Sequence, residues 1–368
     1  MRGMRARLLV LVGAFAVVVA GAGAAPAEQA PLGEADLDRV RWSAEITTGV
    51  PGWSAERFAD AEPLELLAPA ETGTLSHNWM EPAESARFSP AAAPEGEFLA
   101  AASPPLDASA SARIGYDYPG PYTQFRLRYS EAKQFPLRAV GKLFLVAPDG
   151  TMGECSAASV GNFAIWTAGH CVHVGGGGNA GWMAAGYFIP AYDGTKPCNN
   201  AGQGKGCPYG VWEVAYFAAP NQWVNQGNSH FDFGGAVLRR LNGKTISQRV
   251  GSLGFVANIS NVQHYHSFGW PARAPFTGHK LETCVASSAY VWDWGTAGQP
   301  VTGIGCNMTP GCSGGPWIVD YRGGSYVNGV NSHRRVDPGG AEYSDEMLSP
   351  YFGAAAWNLF QAVYNATP

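Results

Sequence analysis

Three short stretches carry residues that could perform acyl transfer together. Thr167-Ala168-Gly169-His170-Cys171 follows the apolar run Phe163 to Trp166. Phe231-Asp232-Phe233-Gly234-Gly235 begins with a carboxylate next to an aromatic residue and continues into small and apolar residues. Gly311-Cys312-Ser313-Gly314-Gly315-Pro316 sets a serine among glycines. A serine hydroxyl is a weak nucleophile at neutral pH. It needs an imidazole to take its proton and a buried carboxylate to fix the imidazole tautomer. Backbone N–H groups must also face the developing oxyanion, and glycines give the chain that freedom. Asp193 and Asp293 compete for the carboxylate role. Asp193 falls in a Gly/Pro/Asn loop and Asp293 between two tryptophans, whereas Asp232 alone leads into a strand-like run.

Holding such groups in register requires rigid elements around them. From about Phe135 onward, short β-type runs recur between clusters of Gly, Pro, Asn and Asp. They include Ala139 to Val146, Phe163 to Thr167, Gly210 to Phe217, Gly235 to Arg239, Tyr290 to Trp294, Pro316 to Tyr321 and Ser325 to Asn331. His264 and His266 alternate, as on one exposed face of a strand. Helical spacing occurs only at the end, where Trp357, Phe360 and Tyr364 recur at intervals of three and four. Many short strands and one terminal helix predict an all-β sandwich or barrel.

The order His170, Asp232, Ser313, with T-A-G-H-C and S-G-G-P around two of them, resembles the chymotrypsin/trypsin-like serine endopeptidases, and in particular their bacterial-type members. Subtilisins and α/β-hydrolases have other orders. The resemblance covers about residues 135–365. It implies two six-stranded antiparallel β-barrels with the site in the cleft between them. By matching motif, His170 is the general base, Asp232 orients it and Ser313 is the nucleophile. The N–H groups of Gly311 and Ser313 would form the oxyanion hole. The segment Gly329 to His333 resembles the one whose backbone pairs with bound peptide as an added strand, which places Ser332 and His333 at the substrate. By register from Ser313, Asn307 falls where trypsin-type enzymes carry the Asp that selects Arg or Lys, and a neutral amide cannot supply that charge. The positions that match the pocket of glutamyl endopeptidases are Met308 and Asn331.

All seven cysteines lie in this C-terminal part. A metal site at His170, Cys171 and His173 would need further ligands at suitable spacing, and none is predicted. The expected disulfides are Cys155–Cys171, a usual pairing in the family, Cys198–Cys207 around a polar loop, and Cys284–Cys306. Cys312 is then left over; Cys306–Cys312 with a free Cys284 is the alternative. Cys312 also stands where the trypsin branch has an Asp that pairs with the new N-terminus after activation. The run Gly175 to Gly178 lacks a following Lys-Ser/Thr and reads as a surface loop rather than a phosphate loop.

Charge divides the chain into compartments. Residues 1–27 carry three arginines and no acid; residues 28–110 carry 15 acids against four arginines; residues 111–368 carry 17 Lys or Arg against 14 acids. The first compartment has the form of a secretory signal peptide: Arg2, Arg5 and Arg7, then the apolar Leu8 to Ala20, then an A-x-A site at Ala22 to Ala24 or Ala25 to Ala27. Residues 28–128 read as a weakly ordered, Ala/Pro/Glu-rich acidic pro-region or linker, with apolar pieces at Leu64 to Leu67 and at Phe98 and Leu99 that could dock. Residues 129–368 form the peptidase domain. The small net charge of -5 gives no case for nucleic acid as a partner, and no apolar run after the N-terminus is long enough to span a membrane. The function expected is a secreted, monomeric serine endopeptidase acting on polypeptides without a cofactor. The competing class is a non-catalytic binding protein on the same fold.

Overall fold

A computed structural model describes residues 39–46, 52–67, 73–76, 85–90, 120–336 and 341–368. The predicted signal peptide and Phe98–Leu99 lie outside these residues. Six short strands come first: β1 (Val40–Trp42), β2 (Glu62–Pro63), β3 (Leu66–Leu67), β4 (Thr74–Ser76), β5 (Ala86–Phe88) and β6 (Tyr122–Arg126). The next six are β7 (Val140–Val146), β8 (Met152–Ser159), β9 (Ala164–Thr167), β10 (Ala185–Pro190), β11 (Trp212–Pro220) and β12 (Gly234–Leu238). They pair antiparallel in the order β11-β10-β7-β8-β9-β12, and β12 returns to β11, which closes a six-stranded barrel. Full closure removes exposed edges.

The remaining strands are β13 (Gly254–Ala257), β14 (His264–Gly269), β15 (Glu282–Asp293), β16 (Val301–Gly305), β17 (Pro316–Val319), β18 (Tyr326–Val330), β19 (His333–Arg334) and β20 (Glu346–Ser349). They form a second sheet with the core order β20-β16-β15-β14-β17-β18. Its two ends meet again where Val330 N–H donates to Ser349 Oγ and Ser332 N–H donates to the Leu348 carbonyl, both at 3.0 Å. The all-β expectation therefore holds.

The C-terminal helix, Ala354–Asn365, buries Ala356, Leu359, Phe360 and Val363. That face is turned slightly from the aromatic spacing in the sequence: Trp357 and Tyr364 flank it. Phe360 stacks on Phe255 with centroids 4.3 Å apart, and Tyr364 meets Phe88 of β5.

The described part of the acidic region is more ordered than its composition suggests. β1 adds to β11, β4 and β6 add to β15, and β5 adds to β13. β2 pairs with β8, and β3 with β19. These pieces are two to five residues long, too short to show a period in sequence.

Candidate active site

His170 sits on a 3-10 turn, Gly169–Cys171, directly after β9. The Cys155–Cys171 disulfide ties that turn back to β8. Asp232 follows the turn Ser229–Phe231 and stands just before β12, and β12 pairs with β9. Two neighbouring strands thus bring imidazole and carboxylate together. The His170 backbone N–H donates to Asp232 Oδ1 at 2.7 Å, and His170 Nδ1 lies 2.9 Å from Asp232 Oδ2. Ser332 Oγ also donates to Oδ2. Asp232 is fully buried. Burial alone would raise its carboxyl, but the His170 charge and the hydrogen bonds from His170 and Ser332 outweigh burial and hold it below the usual carboxylate range.

Ser313 lies on the loop before β17. Gly311 has φ +97° and Gly314 φ +76°, in the left-handed region that suits glycine. A Cβ on Gly314 would lie 1.9 Å from Thr167 Oγ1, because the nucleophile loop presses on the histidine strand. The N–H groups of Cys312, Gly314 and Gly315 bond Thr309, Asn331 and Cys312 carbonyls. Those of Gly311 and Ser313 have no backbone acceptor among the described residues.

Two residues support this loop in a role that the sequence did not indicate. Ser156 of β8 donates its N–H to the Ser313 carbonyl at 2.7 Å and its hydroxyl to the Gly311 carbonyl at 3.0 Å. Asn331, which the sequence placed at the pocket, instead donates to the Cys312 and Phe268 carbonyls and accepts from Ser267 and Trp317. Ser156 belongs to no motif that the sequence offers.

Ser313 Oγ donates to the carbonyl oxygen of Leu64 at 3.0 Å, while His170 Nε2 is buried without a partner among the described residues. Beside Ser313 is a cavity walled by Met308, Pro310, Ser332, His333 and Arg334, with Glu65 and Leu66 at its edge. Ser332 and His333 line this cavity; Asn307 does not, and its Oδ1 is buried without a partner among the described residues. Arg334 bonds the Met308 and Glu346 carbonyls and the Glu342 carboxylate. The other candidate acids are occupied elsewhere: Asp193 pairs with Lys280 at 2.8 Å, and Asp293 is half-exposed, 3.8 Å from His230.

The structure joins Cys155 to Cys171, Cys198 to Cys207 and Cys284 to Cys306. Cys312 is a buried free thiol that burial pushes up to about 12. The sulfurs nearest His170 are therefore spent on a disulfide. His173 accepts from the Gly175 N–H and lies 2.6 Å from the Gly178 carbonyl, which shapes the glycine loop.

No family model and no curated protein matches the chain. Solved structures do. The protease Anisep from Arthrobacter nicotinovorans is 31% identical over 64% of this chain and 99% of its own, with a TM-score of 0.53. The thermostable serine protease AL20, from an extremophilic microorganism, is also 31% identical over 62% of this chain and 98% of its own, with a TM-score of 0.52. Identity at this level across nearly whole relatives, together with the closed barrel and the second sheet, places the chain in the chymotrypsin/trypsin-like serine protease family.

Proposed function

We propose that the protein is a secreted serine endopeptidase that cleaves polypeptides through an acyl-enzyme. The observation that carries this reading is the buried Asp232 carboxylate bonded to both the backbone and the ring of His170. That bond leaves Nε2 as the ring's free basic atom. Ser313 Oγ attacks the scissile carbonyl carbon and His170 Nε2 takes its proton. Asp232 stabilises the imidazolium, and the Gly311 and Ser313 N–H groups hold the oxyanion. His170 then protonates the leaving amine, and water repeats the sequence to release the acid.

The sequence divides into a signal peptide over 1–27, a pro-region over 28–128 and the peptidase domain over 129–368. The 64% of the chain covered by Anisep is about the share that 129–368 occupies, which supports this division. The signal sequence and three disulfides support export, and no helix among the described residues is long and apolar enough to cross a membrane. A Cys312 in place of an acid argues for an activation route other than a new N-terminal ion pair.

The test is labelling of the secreted, processed protein with a fluorophosphonate. One adduct on Ser313 is expected, and none in Ser313→Ala. A protein that binds peptides but never labels would be the non-catalytic alternative.

A further inference from the structure

Residues 52–67 connect the two halves of the molecule past the nucleophile. Trp53 and Phe58 stack at 5.4 Å, and Phe58 packs on Phe144 and Tyr187 of the barrel. β2 then pairs in parallel with Gly153 and Glu154 of β8, and Leu64 N–H donates to the Glu154 carbonyl at 3.0 Å. Three residues on, β3 pairs in parallel with β19, Leu66 opposite His333 and Leu67 opposite Arg334. Leu64 and Leu66 are 5% and 2% exposed. Between them Glu65 is ion-paired with Arg273, and Glu342 is the next acid along, 4.0 Å from the same guanidinium.

Between the two anchors the segment meets Ser313 in a geometry that cannot react. Acyl transfer needs the Oγ proton aimed at His170 Nε2, the Oγ lone pair at a carbonyl carbon, and the carbonyl oxygen on the oxyanion donors. Here the Oγ proton goes to the Leu64 carbonyl oxygen, and His170 Nε2 has no partner among the described residues. Chain direction explains how such an occupant could persist. Parallel and antiparallel strands present their N–H and C=O groups in different patterns. A peptide running antiparallel to β19 therefore meets Ser313 with different atoms.

We propose that the cleft is a binding site for an extended peptide running parallel to β19, with an acidic residue between two leucines, and that residues 62–67 fill it and hold Ser313 unreactive. The latency rests on the endopeptidase reading given above; the binding geometry does not.

The experiment uses the full-length chain with its pro-region attached. Fluorophosphonate labelling of Ser313 should be slow, and Glu65→Arg, which opposes Arg273, should speed it about tenfold or more. Glu65→Arg with Arg273→Glu should restore slow labelling, which a folding defect would not do. A synthetic peptide of residues 60–69 added to the Glu65→Arg protein should slow labelling in proportion to its concentration, while the same residues in reversed order should not. Intact mass after long incubation should show no cut within 62–67. Labelling of Glu65→Arg at the wild-type rate, or self-cleavage inside 62–67, overturns the proposal. If neither protein labels, the endopeptidase reading fails instead. Anisotropy of the fluorescent 60–69 peptide with the Glu65→Arg protein then decides the binding site alone: saturable binding supports it, and no binding overturns it.

Discussion

Asp232 accepts from three donors, the His170 N–H, the His170 ring and the Ser332 hydroxyl. Such a carboxylate cannot easily rotate or protonate. Replacing Ser313 or His170 by Ala should lower the rate of peptide hydrolysis by about 10⁶, and Asp232→Asn by about 10⁴, since the amide favours the wrong tautomer. Steady-state kinetics of the processed enzyme check both. The chain of polar contacts continues: with the Ser332 proton on Asp232, His333 Nδ1, 2.6 Å away, is the donor to Ser332 Oγ. Burial pushes His333 from its ordinary 6.5 down to about 3. A histidine lowered on folding takes up a proton in the unfolded chain first. Its contribution to stability is therefore complete above pH 6.5 and is lost as the pH falls from there towards about 3. His333→Phe should flatten the acid limb of stability across that window. Denaturant midpoints measured at several pH values will show it; an unchanged slope would mean that another group controls the limb. The three motif residues were legible because their chemistry demands particular types in a particular order. Ser156, and the loop-holding role of Asn331, were not, because any fold offers many serines and asparagines, and only the fold shows which one faces the loop.

At the scale of elements, β7 and β8 share a buried ion pair. Lys142 Nζ lies 2.6 Å from Glu154 Oε2, donates to the Gly278 carbonyl at 2.7 Å and rests on the rings of Phe144 and Tyr192. Both side chains are almost wholly buried. Removing one partner strands the other's charge, so Lys142→Met should cost about 3–5 kcal/mol, whereas Lys142→Met with Glu154→Leu should recover most of that loss. Urea unfolding of the three proteins provides the comparison. If the double variant is as weak as the single one, the pair matters through packing rather than charge. The sequence located β9, β12, β17 and β18 to within a few residues, because each is a short β-type run bounded by turn residues. It marked Leu64 to Leu67 as an apolar piece that could dock but read neither β2 nor β3 as a strand, because two residues carry no periodicity. Their pairing is set by β8 and β19, the strands they meet, which sequence patterning does not reveal.

For the whole molecule, the acidic and basic compartments meet through few direct ion pairs. Glu65 with Arg273 and Glu45 with Arg239 cross between them, and the second pair is well exposed on both sides. An exposed pair contributes about 0–1 kcal/mol. Burial of one large apolar side chain contributes about 1.5–3 kcal/mol, and Phe58, Leu64 and Leu66 are all buried. Apolar contact should therefore dominate the hold of the pro-region, with charge mainly guiding its approach. Processing has to work against the same packing. A cut after residue 128 would fall beside Arg126, which pairs with Glu282, and Leu127, whose N–H donates to the Leu281 carbonyl. N-terminal sequencing of the active secreted form should still place its start near residue 129. A fully active form beginning near residue 28 would reject a shielding pro-region. The balance of forces itself is open to measurement in the unprocessed chain. Raising salt to about 1 M shortens the screening length to about 3 Å, and this should speed fluorophosphonate labelling only a few-fold. Leu66→Asp would place a charge where the leucine is buried, and should speed labelling far more at any salt concentration. A large salt effect, with Leu66→Asp indistinguishable from wild type, would mean that charge rather than apolar burial keeps the segment over Ser313.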